Sequence, residues 1–384
     1  MNVFCVLRAY RLFIKGGREA HFFSMTHDTT QQEFQAVINF FLPGCTVQKA
    51  TEHGSGHIHQ TYRVLTNAPR ASGCFLVQQF NHLVFQNPEQ VASNIAKVHT
   101  HLAAKPLDTA ILRPVSSPDE SFFYISETGH FWRMFDFIEG GFSSERAESS
   151  QQAFLAGKAF GAFAASLSDL DPNLLTETLP DFHNSVKRWQ HFEEVLASDP
   201  AGRISEAMPL IEEVKRHHDI FFEVQSLPTP VRITHNDAKL GNVLFEKTTG
   251  RILAVTDWDT IMPGCMLADF GDLARSLISP VEEDSPRYDK IQVQLPYFEE
   301  LCRGFLEDTS NILTTVEKQH LVLGAKWIIL EQALRFLDDY LSGDSYYPVC
   351  YTEHNKTRAT NQLRLFEELL KNEAAMEAIV RKYV

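Results

Sequence analysis

No CxxC pair and no Cys/His ligand spacing occurs in this 384-residue sequence; its six cysteines, Cys5, Cys45, Cys74, Cys265, Cys302 and Cys350, are scattered. Neither a zinc site nor a disulfide framework is expected, and a reducing compartment fits such usage best. No apolar run approaches the ~18 to 20 residues that span a bilayer, which argues against a membrane partner. Basic residues are short as well. There are 35 Lys plus Arg against 49 Asp plus Glu, a formal charge of -14 and a pI near 5.6, so nucleic acid is not expected as a partner. The start, MNVFCVLRAYRLFIKGGREAHFFS, holds no apolar stretch long enough for a signal-peptide core, and Arg8 and Arg11 interrupt it. A cytoplasmic location is expected. The polar THDTTQQEF segment around Met25 would cap and begin an amphipathic helix, so residues 1–24 are expected to be a disordered extension or an over-long start, tolerant of removal.

What remains is an ordinary globular composition, 44% hydrophobic and 22% charged. A chain of this length outgrows one simple core, so two lobes with a ligand-binding cleft between them are expected. Phe34, Val37, Ile38 and Phe41 recur at helical spacing until Pro43 and Gly44 stop the helix. CTVQKATEH, GSGHIHQTYRVLT and GCFLVQQFN then read as three strands of an antiparallel meander. A helix over about Pro88 to Ala104 follows, and ILRPV, SFFYISE and HFWRMFDFIEG supply further short strands. Gly140, Gly141 and the polar SSERAESSQQ predict a hinge, dividing an N-lobe at 25–138 from a C-lobe at 139–384. Helical periodicity in the C-lobe covers 151–168, about 184–197, about 206–226, 266–278, 290–308, 315–342 and 355–382. The fold class read from this pattern is α+β: a small β-rich lobe with one main helix, then a larger, mostly helical lobe. There is no internal repeat and no low-complexity tract.

The chemistry-bearing stretch is THNDAKLGNVLFEKTTGRILAVTDWD, Thr234 to Asp259. Asp237 and Asn242 lie between two short apolar runs, and the turn TTGR with the strand ILAVT would bring Asp257 back beside Asn242 through a β-hairpin. A lone carboxylate can accept a proton, whereas the amide oxygen of Asn242 and the carboxylate of Asp257 are hard oxygen ligands suited to Mg²⁺. That set is what phosphoryl transfer requires, since the reaction needs positioning and charge neutralisation more than covalent chemistry. The plain alternatives are turn and cap roles for Asp237, Asn242 and Asp257, a simple hairpin turn at Gly54 and Gly56, and packing roles for Trp258, Phe131 and Trp132.

The D-x-x-x-x-N spacing with a downstream Asp on the next hairpin also occurs in kinase catalytic loops. HNDAKLGNVLF followed by VTDWDTIMPGCMLADFGD resembles the aminoglycoside phosphotransferase and choline kinase-like superfamily, and within it the N-acetylhexosamine 1-kinase group. The likeness runs from about Val47 to Leu365. GSGHIHQTY resembles the group's glycine loop, NPEQVASNI its first helix, FWRMFDFIEG its hinge, and RFLDDYLSGDSYY with TRATNQL its C-terminal signature. The resemblance implies a bilobal protein-kinase-like fold. It also implies an ATP- and Mg²⁺-dependent kinase, monomeric or homodimeric, whose acceptor is a sugar, first of all the anomeric hydroxyl of an N-acetylhexosamine. Choline, aminoglycoside and homoserine-like acceptors stay open, as does a non-catalytic, nucleotide-binding role.

By position, the resemblance makes Asp237 the catalytic base facing the substrate hydroxyl, and Asn242 and Asp257 the Mg²⁺ ligands. Gly54, Ser55, Gly56, His57, Gln78 and the hinge backbone around Phe135 and Phe137 become nucleotide contacts, and Arg335 and Tyr346, with Tyr347, substrate contacts. His235 holds the loop, Asp259 is a supporting or metal-facing carboxylate, and Asp269 and Asp272 brace the segment. Gln78 and Gln79 stand where kinases commonly place a strand lysine; the resembling sugar-1-kinase group also has Gln at the first of these positions, commonly followed by Arg, so Gln79 is the more unusual change, and His59 and Gln60 stand where the group commonly shows Asn and Asp. No HRD or APE motif is present, which argues against a protein substrate.

Overall fold

The computed structural model describes residues 27–54 and 58–384. The expectations for residues 1–24 and for Ser55, Gly56 and His57 lie outside the described residues. Five antiparallel strands, β1 (Val47–Glu52), β2 (Gln60–Thr66), β3 (Cys74–Phe80), β4 (Tyr124–Ile125) and β5 (Phe131–Asp136), form one sheet in the order β1-β2-β3-β5-β4. Residues alternate between faces along each strand, and one face receives helix α1 (His27–Phe41). There Phe34, Val37, Ile38 and Phe41 pack on Tyr62, Val64, Phe75, Val77, Trp132 and Met134. Helix α2 (Pro88–Ala103) covers the other side, where Val91, Ile95, Val98 and Leu102 meet Phe80, Phe85 and Phe135. The same apolar cluster continues into Ile233, Trp258 and Ile261. The sheet and the segment carrying the acidic motif therefore share a core.

Two of the expected strands shrink. ILRPV contributes only a bridge between Pro114 and Phe135, because proline offers no N–H to a ladder, and SFFYISE pairs only through Tyr124 and Ile125.

The larger part begins with β6 (Gly141–Phe142), α3 (Ser150–Leu167), α4 (Ser185–Ser198), α5 (Ile204–His217) and α6 (Asp219–Ser226). Short strands β7 (Arg232–Thr234), β8 (Val243–Glu246), β9 (Ile252–Val255) and β10 (Met262–Gly264) follow, paired as β6-β8-β9 and β10-β7. The chain ends in α7 (Met266–Ile278), α8 (Leu295–Thr309), α9 (Thr315–Gln319), α10 (Leu321–Leu341) and α11 (His354–Val380). The single helix expected over 315–342 is broken at His320 (φ -113°, ψ 17°), which ends a short first helix opened by a capping box between Thr314 and Glu317. The helix expected from 290 starts at Leu295, with its proline in the first turn, where the missing N–H costs no hydrogen bond. The pattern over 206–226 divides into α5 and α6 around His218. Among the described residues no helix is long and apolar enough to cross a membrane.

The helical core depends on close crossings. A Cβ on Gly161 of α3 would lie 2.6 Å from the Phe305 carbonyl of α8, and one on Gly324 of α10 would lie 2.6 Å from the Leu267 carbonyl of α7. Gly161→Ala should therefore lower stability by about 1–3 kcal/mol, as overpacking does, although helix propensity alone favours Ala by up to about 1 kcal/mol. Urea unfolding followed by circular dichroism checks this; an unchanged or higher midpoint contradicts the crossing.

Candidate active site

Two non-glycine residues frame the site in the left-handed region, Asn236 (φ 61°) and Asp257 (φ 62°). Such backbone persists only where the surroundings over-determine it. Asp269, at the start of α7, accepts the backbone N–H groups of His235 (2.8 Å) and Asn236 (2.7 Å). The Asn236 amide donates to the carbonyls of Thr234, Thr260 and Met262. His235 Nε2 faces the Thr256 carbonyl at 2.9 Å; a carbonyl only accepts, so this nitrogen carries the proton and ties the loop to the strand leading to Asp257. Its buried Nδ1 has no hydrogen-bond partner among the described residues.

Asn242 donates from Nδ2 to the Asp237 carbonyl (2.8 Å) and to Asp237 Oδ2 (2.9 Å), which fixes the amide orientation. Its backbone carbonyl accepts the Thr256 N–H at 2.8 Å, so Asp257 is the next residue along from Asn242's partner in the hairpin. Asp237 and Asn242 are hydrogen-bonded, and the hairpin brings Asp257 near enough for the Asp237 charge to act on its carboxyl. A fourth group, missed in the sequence, joins them: Lys239 Nζ stands 3.0 Å from Asp237 Oδ2. Its signal was the D-x-K spacing inside the motif.

The charges of this cluster sort into pairs. Burial pushes the Asp237 carboxyl up, but the Lys239 and His235 charges outweigh it and hold it down at about 2. Asp259 is 2% exposed and burial again acts upward, yet Arg133 and His59 keep it well below the carboxylate range. Arg133 Nη1 and Nη2 donate to its two oxygens, the second at 2.7 Å. His59 Nε2 lies 2.5 Å from Oδ2. Asp257 has no such partner. Desolvation by the surrounding protein, then the charges of Asp259 and Asp237, push its carboxyl up to about 6, with Lys239 and His59 opposing. Three carboxylates thus share two fixed cations, and Asp257 is the one left over.

A divalent cation fits that remainder. The Asp257 side chain is exposed, and among the described residues no donor is bonded to its carboxylate or to Asn242 Oδ1. Among the described residues no three His, Cys, Asp or Glu side chains form a metal cage. One carboxylate and one amide oxygen suit Mg²⁺, which keeps waters and substrate oxygens in its shell.

An arginine-rich cluster lies near enough to Asp237 for their charges to interact. Arg335 of α10 stacks 4.9 Å from the Phe182 ring and 5.7 Å from the Tyr347 ring, and among the described residues its one side-chain hydrogen bond is a long 3.4 Å contact to Gln332. Arg188 donates to the Phe182 carbonyl and lies 3.8 Å from Glu331. Glu331, 1% exposed, also accepts from His183 (2.8 Å), whose other nitrogen donates to the Asn236 carbonyl (3.0 Å). Asp339 accepts the backbone N–H groups of Ser345, Tyr346 and Tyr347 at 2.8–2.9 Å and so shapes the turn that presents both tyrosines. Tyr347 packs near Arg335, and Tyr346 is 49% exposed beside it, with ring centroids 4.8 Å apart.

On the sheet side, Gly54 takes φ +79° in the turn after β1. Gln78 accepts from Arg133 Nε (2.9 Å) and donates to Thr61 Oγ1 (3.0 Å), so both ends of its amide are engaged. The Phe135 ring is buried in the core and the Phe137 N–H donates to the Cys74 carbonyl (3.2 Å).

Comparison with known proteins identifies the fold and the family. Solved structures of the same fold include a microcompartment-associated aminopropanol kinase (TM-score 0.56, 14% identity, 91% of this chain and 98% of that one). A choline/ethanolamine kinase family protein from Mesorhizobium loti is similar (0.56, 15%, 93% and 100%), as is spectinomycin phosphotransferase in complex with ADP and spectinomycin (0.56, 12%, 88% and 98%). Residues 49–302, more than half of the chain, match the model of the phosphotransferase enzyme family, and the chain belongs to that family. It is a small-molecule phosphotransferase whose acceptor is a hydroxyl group.

The leftover carboxylate has a thermodynamic signature. A carboxyl held at about 6 against an ordinary 3.8 favours the folded state only while protonated; that contribution is lost as pH rises through about 6. Asp257→Asn should therefore raise the melting temperature in metal-free buffer at about pH 8, with the gain vanishing below about pH 4. A lowered melting temperature at the higher pH contradicts it.

Proposed function

We propose that the chain transfers the γ-phosphoryl group of ATP, with Mg²⁺, to a hydroxyl of a small sugar, in the first instance the anomeric hydroxyl of an N-acetylhexosamine. The observation that carries the choice of acceptor is Arg335. The structural neighbours named above are an aminopropanol kinase, a choline/ethanolamine kinase family protein and a spectinomycin phosphotransferase, and the compounds in those names all bear amine or ammonium nitrogen. A cationic acceptor is bound by open aromatic faces or by carboxylates. Here Arg335 itself lies against Phe182 and Tyr347, with Arg188 close by, and places positive charge where such an acceptor would need the opposite. A guanidinium with unused N–H donors matches the oxygens of a polyhydroxylated, uncharged acceptor.

In this reading Asp237 accepts a hydrogen bond from the attacking hydroxyl and orients it. With its carboxyl held at about 2 it is a weak base, which suits a loose transition state needing little proton removal before the phosphoryl group moves. Lys239 stays charged beside it and offers its ammonium to the transferred oxygens. Asn242 and Asp257 would hold Mg²⁺, which neutralises phosphate charge when bound. The sheet with Gly54, Ser55, Gly56 and His57 would cover the nucleotide, and the backbone following Phe135 would meet its base.

ADP release measured across N-acetylhexosamines, choline, ethanolamine and aminoglycosides tests the acceptor. N-acetylhexosamines should be turned over and the cationic acceptors should not; faster turnover of choline or an aminoglycoside sinks the sugar reading. Asp237→Asn should lower kcat by about 10²–10⁴-fold while leaving the thermal shift given by Mg·ADP in place. Full activity in that variant contradicts the role of Asp237.

A further inference from the structure

We propose that Arg133, on β5, is the positioning cation of this enzyme: it takes over the place of the absent β3 lysine and sets the metal-binding turn through Asp259. The proposal rests on the reading above, in which Asn242 and Asp257 hold Mg²⁺ for a nucleotide.

Gln78 on β3 pairs with Arg133 in the register of the sheet, so the cation sits one strand over from the expected position. Its guanidinium is buried, 5% exposed, between the Phe80 and Phe135 rings at 4.8 and 5.2 Å. All three of its nitrogens are engaged: Nε with Gln78 Oε1, and Nη1 and Nη2 with the two oxygens of Asp259. This bidentate grip fixes the plane of the carboxylate, which a lysine's point charge would not.

The network also explains the glutamine. Position 78 has to accept from Arg133 Nε while donating to Thr61, which an amide does and an ammonium does not. A lysine there would set a second cation against the guanidinium. His59 completes the set. The Asn81 backbone N–H donates to His59 Nδ1 at 3.0 Å, so Nδ1 is the acceptor and Nε2 carries the proton donated to Asp259. His59 stacks on Phe80 at 4.8 Å. The strand following the glycine loop, β3 and β5 thereby converge on one carboxylate.

Asp259 passes this constraint to Asp257. Both belong to the tight turn Asp257 to Thr260; the Asp259 carbonyl accepts from Thr178 Oγ1 (2.9 Å), and Trp258 Nε1 donates to the Val255 carbonyl (2.9 Å). With both ends of Asp259 held and Asp257 in a left-handed conformation, the backbone that carries the Asp257 carboxylate is held in place. A buried ion pair is a weak device for stability, since desolvation offsets much of its attraction. Its geometric effect is what this site uses.

The test compares wild type, Arg133→Met, Arg133→Lys, Gln78→Lys and the double variant Arg133→Met/Gln78→Lys. Readouts are the Mg²⁺ concentration for half-maximal ADP release, KM for ATP and for acceptor, Mg·ADP binding by calorimetry, and melting temperature. Arg133→Met should raise the Mg²⁺ requirement and weaken Mg·ADP binding by about 10–100-fold, the range for removing a group that orients a metal ligand, with KM for acceptor unchanged. Arg133→Lys, which keeps a buried cation and is expected to fold, should show the same shift at the low end of that range. Gln78→Lys alone should weaken Mg·ADP binding, and the double variant should bind better than Arg133→Met because the cation is restored one strand away. Mg²⁺ and Mg·ADP dependence equal to wild type in a folded Arg133→Met or Arg133→Lys overturns the proposal, as does a change confined to melting temperature. A wild type that neither binds Mg·ADP nor releases ADP overturns the functional reading on which it rests.

Discussion

Concentrated negative charge is the constraint around which this site is built. Asp237, Asp257 and Asp259 lie in one folded segment, where Asp259 and Asp237 raise the cost of ionising Asp257, and the fold supplies two cations to answer them. Lys239 comes from the same loop as Asp237, and Arg133 reaches Asp259 from the sheet. The imbalance is local and directional: Asp257 is left without a cation beside the Asn242 oxygen, which accepts nothing among the described residues, and this is where we propose that a cation from solution binds. A chain with a net charge of -14 has no diffuse positive field to help, so the phosphate-handling charge has to be placed residue by residue.

The acceptor side reverses that sign. Arg335 and Arg188 stand near Glu331, which is shared with His183 and Ser185, and the aromatic faces nearby are covered by guanidinium groups. The acceptor specificity proposed above therefore rests on a few side chains on α10 and before α4, not on the fold.

Much of this was legible in the sequence because it is local. The D-x-x-x-x-N spacing and the hairpin after it bring Asp237, Asn242 and Asp257 together by short-range turn and strand geometry. The helices were readable from their periodicity, down to α7 at 266–278. Arg133 was not readable: it lies 126 residues from Asp259, and only the register of β3 with β5 brings it next to Gln78. The glutamine was visible as a missing cation, but the replacement was hidden in a strand that otherwise reads as packing. Lys239 was overlooked for a different reason, since a lysine between two motif residues looks like a solvated loop charge until its distance to Asp237 is known. The breaks at His218 and His320 escaped because the apolar pattern continues across them.

The most direct test of the charge account is calorimetric titration of wild type and Asp257→Asn with Mg·ADP from about pH 8 to about pH 5. A carboxyl held at about 6 has to lose its proton before it can bind the metal, so wild-type affinity should fall below about pH 6 more steeply than in the variant, whose remaining slope is the nucleotide's own. Parallel curves for the two proteins would contradict the assignment of Asp257 as the carboxylate left for the metal.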